Sequence, residues 1–326
     1  MVRQWECQLF AAELMPILIP METERASPRY SDIDLWEPGD VLEALIEGQM
    51  AAVAAVRPAL GAIQRAAAAV ETCLRQDGRL VYAGAGTSGR LAVQDGAELI
   101  PTFNWPPDRL LLLMAGGKDA LLRSAEGAED EIEHAARLAQ HHRIGPADAL
   151  IAVAASGTTP FTLACLRNAK QCGAITIGIA NNQSAPLLQE SDHPIWLDTG
   201  AEPIAGSTRM KAGTAQRVTL NLLSTLTMIR LGRVHQGLMV DMQPINAKLI
   251  ARSETILRKI SGRSGKDVHT ALQRADQNVK VAMLLLHGCS KKQAKALLEK
   301  AGGNLRTALE FVDHPEKALR SDLLMP

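Results

Sequence analysis

Aromatic residues are scarce. Four Trp, two Tyr and four Phe make up 3% of the 326 residues, too few for the base-stacking platforms of single-strand nucleic-acid binders. Charge of one sign is also missing. Thirty-five basic side chains offset 35 acidic ones, so no bulk field draws the chain to nucleic acid or an anionic membrane. The cysteines Cys7, Cys73, Cys165, Cys172 and Cys289 are odd in number, scattered and without a C-x-x-C pair. They read as reduced thiols filling a cytoplasmic core, not as disulfides or zinc ligands. The histidines make no H-E-x-x-H pair, so no metal site is expected. No apolar run is long enough to span a bilayer. Near the N-terminus, Glu13, Pro16 and Pro20 break the apolar stretches, which argues against a signal peptide. Met21 is an alternative start, with residues 1–20 an extension outside the fold.

What is present is an alternation. Apolar strand-like runs at Leu80–Ala85, Leu110–Ala115, Ala149–Ala154, Ala174–Ile179 and Pro194–Leu197 are separated by helical patterns. The helices are expected over Arg90–Glu98, Asp119–His141 and Pro160–Cys172, followed by a long one over Thr208–Leu231. Short strands without polar alternation, each followed by a helix, predict an α/β fold: a five-stranded parallel sheet flanked by helices. Before it, Met21–Pro38 reads as an extended arm and Gly39–Cys73 as alanine-rich helix interrupted at Pro58. After it comes a small, more charged helical domain, with a three-helix unit over Ala282–Phe311. The expected divisions are residues 1–20, 21–69, 70–233 and 246–326.

Two strands end in small residues and hydroxyls. Gly84-Ala85-Gly86-Thr87-Ser88-Gly89-Arg90 follows the first, and Ala155-Ser156-Gly157-Thr158-Thr159-Pro160 the third. Glycines let backbone approach a ligand, and a helix start favours negative charge. No Lys follows the last Gly, so a nucleotide P-loop is excluded. Gly84, Gly86 and Gly89 keep the G-x-G-x-x-G spacing of the dinucleotide fingerprint, a pattern that specifies nothing by itself. A phosphate on something smaller than a nucleotide is the reading. The alternative is that the hydroxyls only cap the helices, with Pro160 in the first turn.

The carboxylates come in two clusters, Asp95-Gly96-Ala97-Glu98 and Glu126-Gly127-Ala128-Glu129-Asp130. Gly127 suggests either close approach to a ligand or a turn. A third cluster, Gly206-Ser207-Thr208-Arg209-Met210-Lys211-Ala212-Gly213, opens the long helix, with Ser207 as its expected cap. Arg209 and Lys211 oppose the helix dipole there, and an anionic ligand or a carboxylate would offset them.

Taken in order, these strings resemble the N-acetylmuramic acid 6-phosphate etherases, which carry a sugar isomerase (SIS) domain. The resemblance runs from about Thr23 to the C-terminal helices. It implies a carbon–oxygen lyase of cell-wall sugar recycling in the cytoplasm. Such an enzyme uses water to cleave the D-lactyl ether, giving N-acetylglucosamine 6-phosphate and D-lactate. It also implies a homodimer, no metal and no organic cofactor, and a C-terminal unit like a ubiquitin-associated domain. By position, Glu98 matches the family's acid/base at the lactyl oxygen and incoming water. Glu129 matches the carboxylate that takes the proton from carbon 2. To be protonated at neutral pH, Glu98 needs burial or a neighbouring carboxylate. The loops around Gly86, Thr87 and Ser88, and Ser156, Gly157, Thr158 and Thr159, would hold the phosphate and sugar hydroxyls, with Ser207 and Lys211 as further binding candidates.

The chain departs from the family at Leu99-Ile100-Pro101, where a Cys-Pro pair is common, and at Thr158, where Arg is frequent. Thr158 bears on contacts to the sugar or the lactyl carboxylate. Two rivals share the phosphate loops: a phosphosugar isomerase, and a non-catalytic sugar-phosphate sensor resembling the glucokinase regulatory proteins. The latter carry two tandem SIS units, and only one is legible here.

Overall fold

The computed structural model describes residues 21–123, 125–242 and 247–317, so the expectations for residues 1–20, Cys7 and Ser124 lie outside the described residues. Two compact units are formed. One contains the chain up to Ala97 together with Asp108–Ser224, the other Glu98–Pro107 with the chain from Thr225 onward.

In the first unit the arm is not extended. It makes three 3-10 turns, Glu22–Glu24, Pro28–Tyr30 and Ile33–Leu35. Helices α1 (Pro38–Ala54) and α2 (Leu60–Arg75) follow, parted by a 3-10 turn at Arg57–Ala59. Pro58 produces that break, since its ring removes a helical N–H. Strand β1 (Leu80–Gly84) leads into α3 (Gly86–Phe103), and β2 (Leu110–Met114) follows. Helix α3 starts four residues before the expected Arg90. It also runs through Pro101, which sits in the last turn.

The connection from β2 to β3 corrects a second expectation. Asp119–His141 is not one helix. It contains 3-10 turns at Lys118–Leu121 and Ala128–Asp130, and only then α4 (Ile132–His141). Gly116, Gly117 and Gly127 all have positive φ there, a conformation that interrupts a right-handed helix. The remaining elements are β3 (Ala149–Val153), α5 (Pro160–Gln171), β4 (Ile175–Ala180), α6 (Pro186–Glu190), β5 (His193–Trp196) and α7 (Lys211–Arg230).

The sheet is wholly parallel, as expected, in the order β2-β1-β3-β4-β5. β1 and β3 are neighbours, with Gly84 opposite Val153. On one face, Val81, Ala83, Leu113, Leu150 and Ala152 form a core with Phe161, Leu163 and Leu166 of α5. Helix α2 packs on β3, β4 and β5 through a face that includes Ile63, Ala66, Ala67 and Val70, none more than 2% exposed. Helix α3 rests on β1 and β2 through Gly89 and Gly96, two turns apart on one face. A Cβ on Gly89 would lie 2.5 Å from Met114 Sδ, and one on Gly96 2.7 Å from Leu112 Cδ2.

The second unit holds the hairpin β6 (Val234–His235) and β7 (Leu238–Met239) with α8 (Ala247–Ser261), α9 (Gly265–Arg274), α10 (Val279–Leu286), α11 (Lys291–Lys300) and α12 (Leu305–Asp313). The three-helix pattern over Ala282–Phe311 is realised as α10–α12. Side chains of Ser264, Asn278, Ser290 and Asn304 cap α9 to α12, and the buried face of each helix joins one core around Leu257, Val268, Leu284 and Leu305. Buried Lys280 pairs with Asp241 and also donates to Gly303 O at 2.7 Å.

Candidate functional site

The strand order fixes where a ligand can sit. The chain leaves β1 for the outer strand β2 and must return past β1 to reach β3. Such a reversal opens a crevice at the carboxyl ends of the two adjacent strands. The loop after β1 and the loop after β3 both open there, and the β2–β3 connection carries Glu129 back across.

Glu129 and the loop after β1 meet in one cavity, and the loop after β3 is not part of its lining. Ala85, Gly86, Arg90, Met114, Ala115 and Glu129 are among the residues lining a cavity of about 90 Å³. Gly86 has φ of +53° and no atom within 4 Å of where a Cβ would stand, so the space in front of this helix start is open. Gly84 and Gly89 have a different task, because they are pressed against each other. Arg90 donates from Nε to Ala120 O at 2.9 Å and from Nη2 to Arg123 O at 3.4 Å, pinning the segment that leads to Glu129. Gly127 is a turn residue: it is left-handed and nothing crowds it.

In the second loop, Gly157 has φ of +69°, and a Cβ there would meet Ala185 Cβ at 2.4 Å. Thr159 occupies the position before α5, with Pro160 in the first turn, yet Thr159 makes no capping hydrogen bond. Ser156 Oγ accepts from Thr158 N–H at 3.1 Å and lies 3.4 Å from Thr159 Oγ1. The capping alternative therefore fails at Thr159, whose hydroxyl is not spent on the helix.

The third cluster lies beside the first. A Cβ on Gly213 would stand 3.6 Å from the Thr87 methyl. Helix α7 begins at Lys211, so Ser207 is not its cap. The cap is a carboxylate that sequence reasoning missed. Glu202, fully buried, accepts from Lys211 N–H and Ala212 N–H, both at 2.8 Å. Burial pushes the Glu202 carboxyl above its ordinary range, against these two bonds and the Lys211 charge. Lys211 Nζ donates to Ala201 O at 2.9 Å, and burial draws this amine below its usual value. No local pattern marks Glu202, which lies nine residues before the helix. Asn182 was missed as well; it follows β4 and contacts the second loop.

Glu98 stands apart. It is twelve residues beyond Gly86 on α3, about 18 Å along a helix at 1.5 Å per residue. The burial expected for it is not found: Glu98 and Glu129 are both exposed. The buried acid of that cluster is Asp95, 3% exposed. It accepts from Tyr82 Oη at 2.9 Å and lies 3.7 Å from Arg217 Nη1. Burial raises its pKa, opposed by Tyr82, Ser224 and Arg217.

Residues 129–226 match the SIS domain model, and residues 63–170 match the model described as the glucokinase regulatory protein N-terminal SIS domain. The N-acetylmuramic acid 6-phosphate etherase of Deinococcus radiodurans is 46% identical over 89% of this chain and 95% of its own length. That of Streptomyces coelicolor is 42% identical over 91% and 96%. A phosphoheptose isomerase structure from Francisella tularensis aligns with 61% of this chain and 97% of its own at 18% identity and a TM-score of 0.42.

Proposed function

Because the chain belongs to the N-acetylmuramic acid 6-phosphate etherase family, we propose that it cleaves the D-lactyl ether of that sugar phosphate with water, giving N-acetylglucosamine 6-phosphate and D-lactate. The observation that carries the reading is the cavity in which Glu129 faces the open helix start at Gly86. Opening the sugar ring exposes an aldehyde at carbon 1 and acidifies the proton at carbon 2. Glu129 takes that proton and returns one to carbon 2 when water has added. Glu98 protonates the lactyl oxygen as its bond to carbon 3 breaks, and then helps water add to carbon 3 of the unsaturated aldehyde. The loops at Gly86–Ser88 and Ser156–Thr159 hold the phosphate and hydroxyls, with Ser207 and Lys211 at the edge. Neither a metal nor an organic cofactor enters this scheme.

The working form in this proposal is a cytoplasmic homodimer. Its support is an exposed apolar stripe on α1: Leu42, Ile46, Met50 and Val53 are 67%, 52%, 67% and 49% exposed, at spacings that share one helix face. The helix distance from Gly86 to Glu98 supports a second role for the dimer, in which Glu98 of one copy serves the cavity of the other. The division into a phosphosugar domain over 70–233 and a C-terminal helical domain over 246–326, similar to a ubiquitin-associated domain, belongs to the same proposal.

Incubating the protein with N-acetylmuramic acid 6-phosphate and measuring D-lactate tests the reading. Lactate release is the expected result. Ketose formation from a sugar phosphate would favour an isomerase, and tight sugar-phosphate binding without turnover a sensor.

A further inference from the structure

Asn182 joins the N-terminal turn to the second loop. Its Nδ2 lies 3.0 Å from Ala155 O, 3.4 Å from Ser156 O and 3.3 Å from Thr23 Oγ1. Thr23 is fully buried although it belongs to the first 3-10 turn, and its carbonyl accepts from Gly206 N–H at 3.0 Å. Asn182 is 4% exposed, and its Oδ1 has no hydrogen-bond partner among the described residues. An unpaired buried amide oxygen costs about 1–3 kcal/mol, so the side chain is not placed there for its own satisfaction.

The two carbonyls it reaches belong to consecutive peptides. In a trans peptide the N–H points opposite to the C=O. Holding Ala155 O and Ser156 O toward Asn182 therefore turns the N–H groups of Ser156 and Gly157 away from it. Gly157, left-handed at φ +69°, completes the kind of turn that gathers successive N–H groups onto an anion. Ala155 O also accepts from Asn181 N–H at 3.0 Å, so without the amide it is the Ser156–Gly157 peptide that could rotate and present its carbonyl oxygen to a phosphate.

We propose that Asn182, braced by Thr23, is a positioning residue that presets the Ser156–Thr159 loop for the sugar phosphate. The N-terminal turn is then part of the binding site. This rests on the reading of the cavity as a phosphosugar site.

The test compares Asn182→Ala, Thr23→Val and Thr23→Ser with the parent in three measurements: KM and kcat for N-acetylmuramic acid 6-phosphate, inhibition by inorganic phosphate, and calorimetric binding of N-acetylglucosamine 6-phosphate. Loss of one hydrogen bond to the preset loop, near 1.4 kcal/mol, corresponds to about tenfold. Asn182→Ala should raise KM and both dissociation constants by about that factor, with kcat little changed. Thr23→Val should follow in the same direction, and Thr23→Ser should restore binding by keeping the hydroxyl. Parent-like phosphate and phosphosugar binding in Asn182→Ala, or a loss confined to kcat, would overturn the proposal. A Thr23→Ser variant as weak as Thr23→Val would overturn the part given to Thr23. A parent that binds the phosphosugar but releases no lactate would sink the etherase reading alone. A parent that binds neither ligand would sink both.

Discussion

A methyl group added to Gly84 would lie 2.8 Å from the Cα of Gly89. The end of β1 and the first turn of α3 therefore touch backbone to backbone, and the loop between them is held at one height above the sheet. Overpacking a tight site costs about 1–3 kcal/mol, and here backbone must move. Gly89→Ala and Gly84→Ala are expected to lower the unfolding free energy by at least that range, read from urea denaturation, and to abolish phosphosugar binding. Gly86→Ala, which meets nothing but must hold a positive φ, should cost less. Equal stability in all three variants would refute this account.

A positioned acid or base is worth about 10²–10⁴ in rate. Glu129→Gln and Glu98→Gln should each lose lactate release by that factor while keeping phosphate binding. Co-expressing the two variants distinguishes the sharing of Glu98 between copies. A symmetric dimer assembled at random from both would regain about a quarter of parent activity. No recovery in isolated mixed dimers would place both carboxylates in one copy's site.

Among the described residues, Glu202 supplies the acceptor oxygens for the buried N–H groups of Lys211 and Ala212. Each buried donor left unpaired costs about 1–3 kcal/mol, so Glu202→Ala should destabilise by at least about 2 kcal/mol. Glu202→Gln, which keeps one acceptor oxygen, should lose less. Chemical denaturation of the two variants measures the difference.

His235 is 6% exposed, and burial, with Arg306 and Lys280 nearby, holds its pKa below the ordinary value of 6.5. His142 is shifted the same way by burial, His141 and Arg79. The folded state thus refuses protons that the unfolded chain accepts. The contribution of these two histidines to stability should be level above pH 6.5 and fall as pH drops below it. His235→Asn should flatten part of that slope between pH 7.5 and 5.5, read from urea midpoints. An unchanged slope would rule His235 out as its source.

Positions of the parallel strands were legible because buried parallel strands read as plain apolar runs; each of the five lies within a residue or two of its expected span, whereas the two-residue strands β6 and β7 were not foreseen. The helical segment at Asp119 was misread because alanine and glutamate favour helix, while left-handed Gly127 interrupts it. The start of α3 was placed late because Thr87, Ser88 and Gly89 look like loop, yet Gly89 must be helical to sit on Met114. Of the candidate site, the two loops could be found from residue type and order, and Glu129 from the family resemblance. Glu202, Asn182 and the Asp95–Tyr82 pair could not, because each acts on a partner distant in sequence. The position of Glu98 on α3 was visible, but its exposure was not.

Strand β1 acquires its second neighbour late. It is complete at Gly84, whereas β3 begins at Ala149, 65 residues later. At 5–20 residues per second, a ribosome needs roughly 3–13 s to deliver that missing edge. Throughout this interval the nascent chain presents Leu80–Gly84 with one flank unzipped, an invitation to the wrong strand from another polypeptide. Slowing translation between these two points should raise the burden on holding chaperones more than the same delay imposed after Val153.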